Sequence, residues 1–136
     1  MKNKSSFKKK TDELKFIFAF LDSSLDKIEL QDNVQSELEL AVEEIFMNMV
    51  RHNLETENDI EIVVDATSRE VKISLKDVET APFDITKTDK IDLEEYINAK
   101  KSGGLGIHLI KTLMDDLNFE HKDGISTISI TKYISD

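Results

Sequence analysis

The sequence has no cysteine and no tryptophan, and it has one proline and four glycines among 136 residues. The absence of cysteine excludes disulfide frameworks, thiolate zinc sites and thiol catalysis. The three histidines are scattered and do not form a metal-binding pattern. A chain of this length can still bury a core of its own as one domain.

Basic residues are also scarce, because 18 Lys and Arg stand against 28 Asp and Glu, giving a formal net charge of -10. A field of this sign repels phosphate backbones, so no nucleic-acid partner is expected. The apolar run from Phe16 to Leu21 is far too short to span a bilayer, so no membrane partner is expected either. We predict a cytoplasmic protein.

The one basic run consists of lysines 2, 4, 8, 9 and 10 at the start of the chain. It lacks the apolar stretch of a secretory signal. We interpret residues 1–10 as a solvated, partly mobile basic arm and residues 11–136 as the folded domain. A functional basic tail is the less favoured alternative.

Two segments have helical periodicity. From Thr11 onward, one face carries Leu14, Ile17, Phe18, Leu21 and Leu25. A second helix is predicted from near Asp32, a candidate N-cap, to about His52, and its buried face comprises Val34, Leu38, Val42, Ile45 and Met49.

The pattern then changes to a period of two. In residues 60–65, Ile60, Ile62 and Val64 alternate with Glu61, Val63 and Asp65, and residues 71–76 alternate apolar and polar side chains. This period of two predicts an antiparallel hairpin. A long polar segment follows, with Pro82 and a short helical piece near residues 93–99. A glycine-led helix and a closing hairpin with a turn at Asp123-Gly124 complete the chain. This order predicts an α+β two-layer sandwich, a mixed, mostly antiparallel sheet covered on one face by helices.

Three polar features could carry chemistry. Glu44, Asn48 and His52 are spaced four and four, so they form one ridge beside the apolar face of the second helix. A carboxylate and an amide one turn apart can jointly reach a cation, a water or a hydroxyl. An ordinary solvated helix margin explains these residues equally well when they are taken alone.

The second feature is the glycine segment directly before a helix, with Lys101, Gly103, Gly104, Leu105 and Gly106. Its backbone N–H groups and the helix start favour an anion, and Lys100 and Lys101 add positive charge. A plain loop-to-helix turn is the alternative. The third feature is Asp77 at the end of the hairpin, which could accept a hydrogen bond from an amine such as that of adenine or could simply start a turn.

The order of these motifs resembles the GHKL family of ATP-binding domains (the Bergerat fold). Within that family, the chain looks most like the bacterial anti-sigma factor serine/threonine kinases of partner-switching systems. The resemblance covers about residues 11–134. It includes the Glu44-Asn48-His52 motif, the glycine segment at residues 103–106 and the sequence Leu-Met-Asp-Asp at residues 113–116.

The resemblance implies a role for each motif. Asn48 would hold Mg²⁺ on the ATP phosphates, Glu44 would act as general base, and Asp77 would pair with the adenine amine. The glycine box, with Lys101, would enclose the phosphates. The implied protein is a Mg-ATP-dependent kinase that phosphorylates a Ser or Thr of an anti-anti-sigma-type antagonist and sequesters a sigma-type transcription factor, as a homodimer.

The chain departs from the family in one loop. Members usually read Asp-x-Gly-x-Pro-Phe-Asp, whereas residues 77–84 here lack that glycine and contain one extra residue before Pro82. The alternative function is therefore a non-catalytic partner-switching module with weak or lost nucleotide binding. Leu40, Met47 and Val50 lie off the buried face of the second helix, which indicates packing of the first helix there or, less favoured, a dimer interface.

Overall fold

The computed structural model describes residues 1–31, 33–52, 58–78 and 105–134. Along the chain these residues form β1 (Lys2–Phe7), a 3-10 turn (Thr11–Glu13), α1 (Leu14–Leu25), α2 (Val34–His52), β2 (Ile60–Ala66), β3 (Glu70–Val78), α3 (Leu105–Leu113), β4 (Asp116–Lys122) and β5 (Ile125–Tyr133). The predicted loop helix at residues 93–99 lies outside the described residues.

The described strands form one sheet in the order β1-β2-β3-β5-β4. Every neighbouring pair in it is antiparallel, so the described sheet is not mixed. Both predicted hairpins are present, as β2 with β3 and as β4 with β5. The predicted α+β architecture is confirmed.

One face of the sheet carries the core. Alternate residues of β2 and β3 are fully buried, and they join the apolar faces of all three helices in one cluster, which includes Ile17, Leu38, Ile45, Ile62, Ile73 and Ile110. Residues of the opposite face, such as Lys72 and Lys76, are exposed. The core thus lies on the face that the helices cover, as the period-two pattern predicts for an antiparallel sheet, although Val63, Ser129 and Thr131 on the opposite face are also buried.

Local backbone geometry explains two of the boundaries. Asp123 and Gly124 have φ values of 55° and 76°, the left-handed conformations that a two-residue hairpin turn requires, which confirms the predicted turn. Helix α2 begins after Asn33, whose φ is 79° and whose carbonyl oxygen accepts a hydrogen bond from the Glu37 amide at 2.9 Å. The predicted cap, Asp32, lies outside the described residues.

The N-terminal segment differs from the solvated arm predicted from its lysines. Residues 2–7 form an edge strand paired with β2, with Phe7 opposite Ile60. Phe7 is buried, and its ring centroid lies 5.7 Å from that of Phe20 in α1. The strand was missed because an edge strand exposes most of its side chains and so needs no apolar alternation. The division of the chain at residue 11 stays a prediction.

Candidate functional site

Helix α2 carries the first candidate pair at the margin of the core. Asn48 is 6% exposed, and its neighbours on the helix, Ile45 and Met49, are almost completely buried. Glu44, one turn earlier, is half-buried. The side chain of His52 lies outside the described residues. The ridge predicted from the spacing is therefore observed for its first two members, with the amide more deeply buried than the carboxylate.

The carboxyl group of Glu44 is tuned by its surroundings. Burial raises its pKa above the usual value, Arg51 acts in the opposite direction, and Glu43 adds a smaller increase. Desolvation disfavours the charged carboxylate, and this effect is larger than the attraction to the guanidinium group. A raised pKa makes a carboxylate a stronger base, which suits proton abstraction.

Helix α3 packs beside α2 on the same face of the sheet. It begins at Leu105 and includes Gly106, while Ile110 and Met114 are buried in the core next to α2. The first amides of a helix have no partner within it, and the helix dipole favours an anion there. Lys101, Gly103 and Gly104 lie outside the described residues, as do residues 79–100.

Asp77 lies at the end of β3, on the face of the sheet that the helices cover. Its side chain is 0% exposed and its Oδ1 lies 2.9 Å from Nζ of Lys9, whose side chain is 5% exposed. Nδ2 of Asn58, two residues before β2, donates to the same Oδ1 at 2.9 Å. The structure thus places a buried carboxylate between an ammonium group and an amide, and we call these three residues the Asp77 cluster.

Two more polar residues lie beside Asp77 on the neighbouring strands of the sheet. Ser126 of β5 is directly opposite Asp77 and is fully buried, and His121 of β4 is opposite Ser126. Nδ1 of His121 and Oγ of Ser126 are 3.0 Å apart. Sequence reasoning missed Ser126, although its period of two with Ile128 and Ile130 places it on the inner face.

Lys9 and Asn58 were also missed as site residues. Asn58 is two residues before a predicted strand, and the pairing register of the hairpin brings that strand end next to Asp77. Lys9 carries no local signal, because it is one of three consecutive lysines and lies 68 positions from its partner. Only the tertiary structure brings it to Asp77.

The donor atoms on α2 fit the magnesium ion that the resemblance implies. Asn48 offers an amide oxygen, and Mg²⁺ is usually held by one or two protein oxygens together with substrate phosphates and water. Among the described residues, no group of three or more His, Cys, Asp or Glu side chains could hold a metal by itself. This donor set suits a metal that enters with the phosphates.

No helix formed by the described residues is long and apolar enough to cross a membrane.

The class of the protein follows from its match to a known family. Residues 7–132 match the family described as the histidine kinase-like ATPase domain, and the chain belongs to that family. Among curated relatives, it is 35% identical over 105 residues to "Serine-protein kinase RsbW" of Listeria monocytogenes serovar 1/2a, a match that covers 74% of this chain and 66% of the relative. The chain thus spans just under two thirds of that relative's length. It is 30% identical over 124 residues to a Staphylococcus aureus protein of the same name, covering 87% of this chain and 73% of the relative.

Solved structures show the same fold. The RsbU and RsbW domains of a Mycobacterium tuberculosis protein match 100% of this chain and 33% of that chain, with a TM-score of 0.71 and 16% sequence identity. The histidine kinase AdeS of Acinetobacter baumannii matches 98% of this chain and 68% of its own, with a TM-score of 0.57 and 12% identity. The predicted GHKL fold is confirmed.

Proposed function

We propose that this chain is a Mg-ATP-dependent serine/threonine-protein kinase that phosphorylates a Ser or Thr of an anti-anti-sigma-type antagonist. We also propose that it sequesters a sigma-type transcription factor. The observation that carries the proposal is the half-buried Glu44 one turn from the buried Asn48, on a helix that packs beside α3. The names of the Listeria and Staphylococcus relatives support the same activity.

The proposed reaction is a transfer of the γ-phosphoryl group of ATP. The hydroxyl oxygen of the antagonist forms a bond to the γ-phosphorus, the bond from that phosphorus to the β–γ bridging oxygen breaks, and ADP leaves with the electron pair. Glu44 takes the hydroxyl proton, for which its raised pKa suits it. The first amides of α3 stabilise negative charge on the phosphates.

Asn48 would hold Mg²⁺ through its amide oxygen. The ion, when bound, supplies charge neutralisation on the phosphates. Asp77 would accept a hydrogen bond from the adenine amine, and Lys101, Gly103, Gly104, Leu105 and Gly106 would surround the phosphates, as the resemblance implies. A homodimer and a cytoplasmic location stay predictions.

Nucleotide binding is tested first. Mg-ATP at about one hundred times its dissociation constant should stabilise the wild-type chain by about 2.7 kcal/mol, which a thermal melt detects. The variant Asn48→Ala should lose most of this shift, and Asn118→Ala, at an exposed site on β4, should keep it. An equal shift in Asn48→Ala and the wild type would remove Asn48 from the site.

Transfer is tested next, with γ-labelled ATP and anti-anti-sigma proteins of the same organism, each purified separately. Label should appear on one of them with the wild-type chain and fall at least about a hundredfold with Glu44→Gln, since general bases contribute 10²–10⁴. Unchanged transfer in Glu44→Gln would contradict the role of Glu44 while leaving the kinase itself standing.

A specific observation favours the second candidate function, a non-catalytic partner-switching module. Asp77 is already paired with Lys9 and Asn58, and its side chain is wholly enclosed. A site in which these contacts are permanent would bind nucleotide weakly or not at all. The absence of any thermal shift at millimolar Mg-ATP would select this candidate over the kinase.

A further inference from the structure

The contact between Lys9 and Asp77 places a cation on the carboxylate that, in the proposed function, accepts a hydrogen bond from adenine. Nζ of Lys9 lies 2.9 Å from Oδ1 of Asp77, and the two side chains are 5% and 0% exposed. Solvent therefore hardly competes for either group. An ammonium group and an adenine amine are both N–H donors, so they seek the same acceptor atoms.

Asn58 adds a second acceptor beside this carboxylate. Its Nδ2 donates to Oδ1 of Asp77 and to the carbonyl oxygen of Asp59, each at 2.9 Å. Two acceptors on one side of the amide fix which end carries the NH₂ group. Its Oδ1 is buried and accepts no hydrogen bond from any described residue. The Asp77 cluster thus has an unused acceptor while Lys9 is in place.

We infer that Lys9 is an internal ligand of Asp77, the carboxylate that recognises adenine. The adenine of a nucleotide then reaches Asp77 only after the Lys9 ammonium group has left. Oδ1 of Asp77 already accepts two N–H donors, from Lys9 and from Asn58. An entering amine replaces the first of these, and its second hydrogen suits the unused Oδ1 of Asn58. This inference rests on the proposed function, because it concerns the same site.

Displacement of Lys9 also affects the N-terminal strand. Lys9 is two residues beyond the end of β1, one of the two edge strands of the described sheet. Binding of adenine at Asp77 and docking of Lys9, in the segment that follows β1, are then mutually exclusive. A protein whose binding-competent state is a minor population binds with a correspondingly reduced apparent affinity. A closed state populated to about 90% weakens binding about tenfold.

The first experiment measures Mg-ATP affinity by calorimetry on the full chain. Lys9→Met removes the ammonium group and keeps an apolar side chain of similar length. We expect it to bind Mg-ATP about tenfold tighter than the wild type. Lys8→Met is the matched control, because Lys8 is exposed and the hydrogen bonds described for it, with Glu13 and Lys10, are made by its backbone; its affinity should equal that of the wild type.

The second experiment uses the wild-type chain, so it does not depend on the folding of a variant. Lysines are acetylated with an activated ester, with and without saturating Mg-ATP, and quantified by mass spectrometry. Lys9 should react slowly in the free protein and several-fold faster with Mg-ATP, whereas the exposed Lys8 should react equally in both states. A calorimetric titration of the same sample reports whether nucleotide has bound.

The outcomes separate the two proposals. Tighter binding in Lys9→Met together with faster acetylation of Lys9 supports the inference. Binding of Mg-ATP by the wild type with Lys9 still protected overturns it and leaves the proposed function standing, as does an unchanged or weaker affinity in a folded Lys9→Met variant. Failure of both the wild type and Lys9→Met to bind Mg-ATP overturns the proposed function and the inference with it.

Discussion

Nζ of Lys132 lies 2.6 Å from the carbonyl oxygen of Leu113, the last residue of α3. The same Nζ lies 3.3 Å from Oε2 of Glu37 in the first turn of α2. A positive charge at the C-terminal end of a helix satisfies its last carbonyls and interacts favourably with its dipole. One lysine of β5 therefore fixes the end of α3 relative to α2, and with it the direction of the helix whose start belongs to the candidate site.

The first prediction concerns this contact. Lys132→Met should lower the free energy of unfolding by about 1–2 kcal/mol, because a charge-assisted hydrogen bond is lost at a partly exposed position. Urea denaturation followed by circular dichroism measures the change. Lys122→Met, at an exposed end of β4, should remain within about 0.5 kcal/mol of the wild type. Equal midpoints for Lys132→Met and Lys122→Met would show that the helix end does not need the ammonium group.

The second prediction concerns the pH dependence of the proposed transfer reaction. Glu44 must be ionised to accept a proton, and burial raises its pKa. The rate should therefore fall as the pH is lowered through a value above the usual range of a glutamate, measured by initial rates with labelled ATP at fixed ionic strength. An acid limb at the pKa of an ordinary exposed carboxylate would argue that another group takes the proton.

Two charged neighbours of Glu44 should shift this pH dependence in opposite directions. Arg51 lowers the pKa of Glu44 and Glu43 raises it. Arg51→Met should consequently move the acid limb of the profile to higher pH, and Glu43→Gln should move it to lower pH. Shifts of both variants in the same direction would mean that the limb reports something other than the charge of Glu44.

Much of the framework could be predicted from the sequence because its signals are local. Alternation in residues 60–65 and 71–76 determines which face of each strand is buried, and Asp123-Gly124 supplies the backbone conformations of the turn. The ridge formed by Glu44 and Asn48 follows from the helical repeat alone. Each of these features depends on residues a few positions apart.

The Asp77 cluster could not be predicted in the same way. Lys9, Asn58 and Asp77 come from three separate segments, and a run of lysines ordinarily indicates a solvated surface. Burial of Lys9 depends on β1 pairing with β2 and on Phe7 entering the core. Neither event leaves a pattern near Lys9, so the charge partner of Asp77 required the tertiary structure.

The third prediction concerns carboxyl groups between α1 and α2. Burial raises the pKa of Glu39, as does Asp22 through a hydrogen bond and its negative charge, while Gln35 acts in the opposite direction. A carboxyl group with a raised pKa in the folded state favours folding below its unfolded pKa and loses that contribution as the pH rises through its folded pKa. Glu39→Gln should therefore stabilise the protein at neutral pH, and its advantage should shrink in acid.

This prediction is checked by urea denaturation at a series of pH values. Nε2 of Gln35 donates to Oδ1 of Asp22 at 2.6 Å and to Oε1 of Glu39 at 3.3 Å, so the amide of the variant keeps an acceptor for Gln35. Glu29→Gln, at an exposed position between the two helices, is the control and should show no comparable gain. A variant Glu39→Gln less stable than the wild type at neutral pH would show that the ionised group is favourable there.

The fourth prediction concerns the dependence of the Lys9–Asp77 contact on the packing of β1. Phe7 is buried against Phe20, and Phe7→Ala should lower the free energy of unfolding by about 3 kcal/mol through lost burial and the cavity that remains. Because Lys9 follows Phe7 by two residues, the loosened end of β1 should also release Lys9 from Asp77. Acetylation of Lys9 in the folded variant, without nucleotide, should then be faster than in the wild type.

The control for this coupling is Phe16→Ala, which removes a ring that is 53% exposed and should change both stability and labelling little. The exposed Lys8 serves again as the internal reference for reactivity. If Phe7→Ala loses stability while Lys9 stays as protected as in the wild type, the salt bridge with Asp77 holds the segment without help from the core. In that case Lys9 would be anchored at the site by its charge alone, and only a ligand that competes for Asp77 could release it.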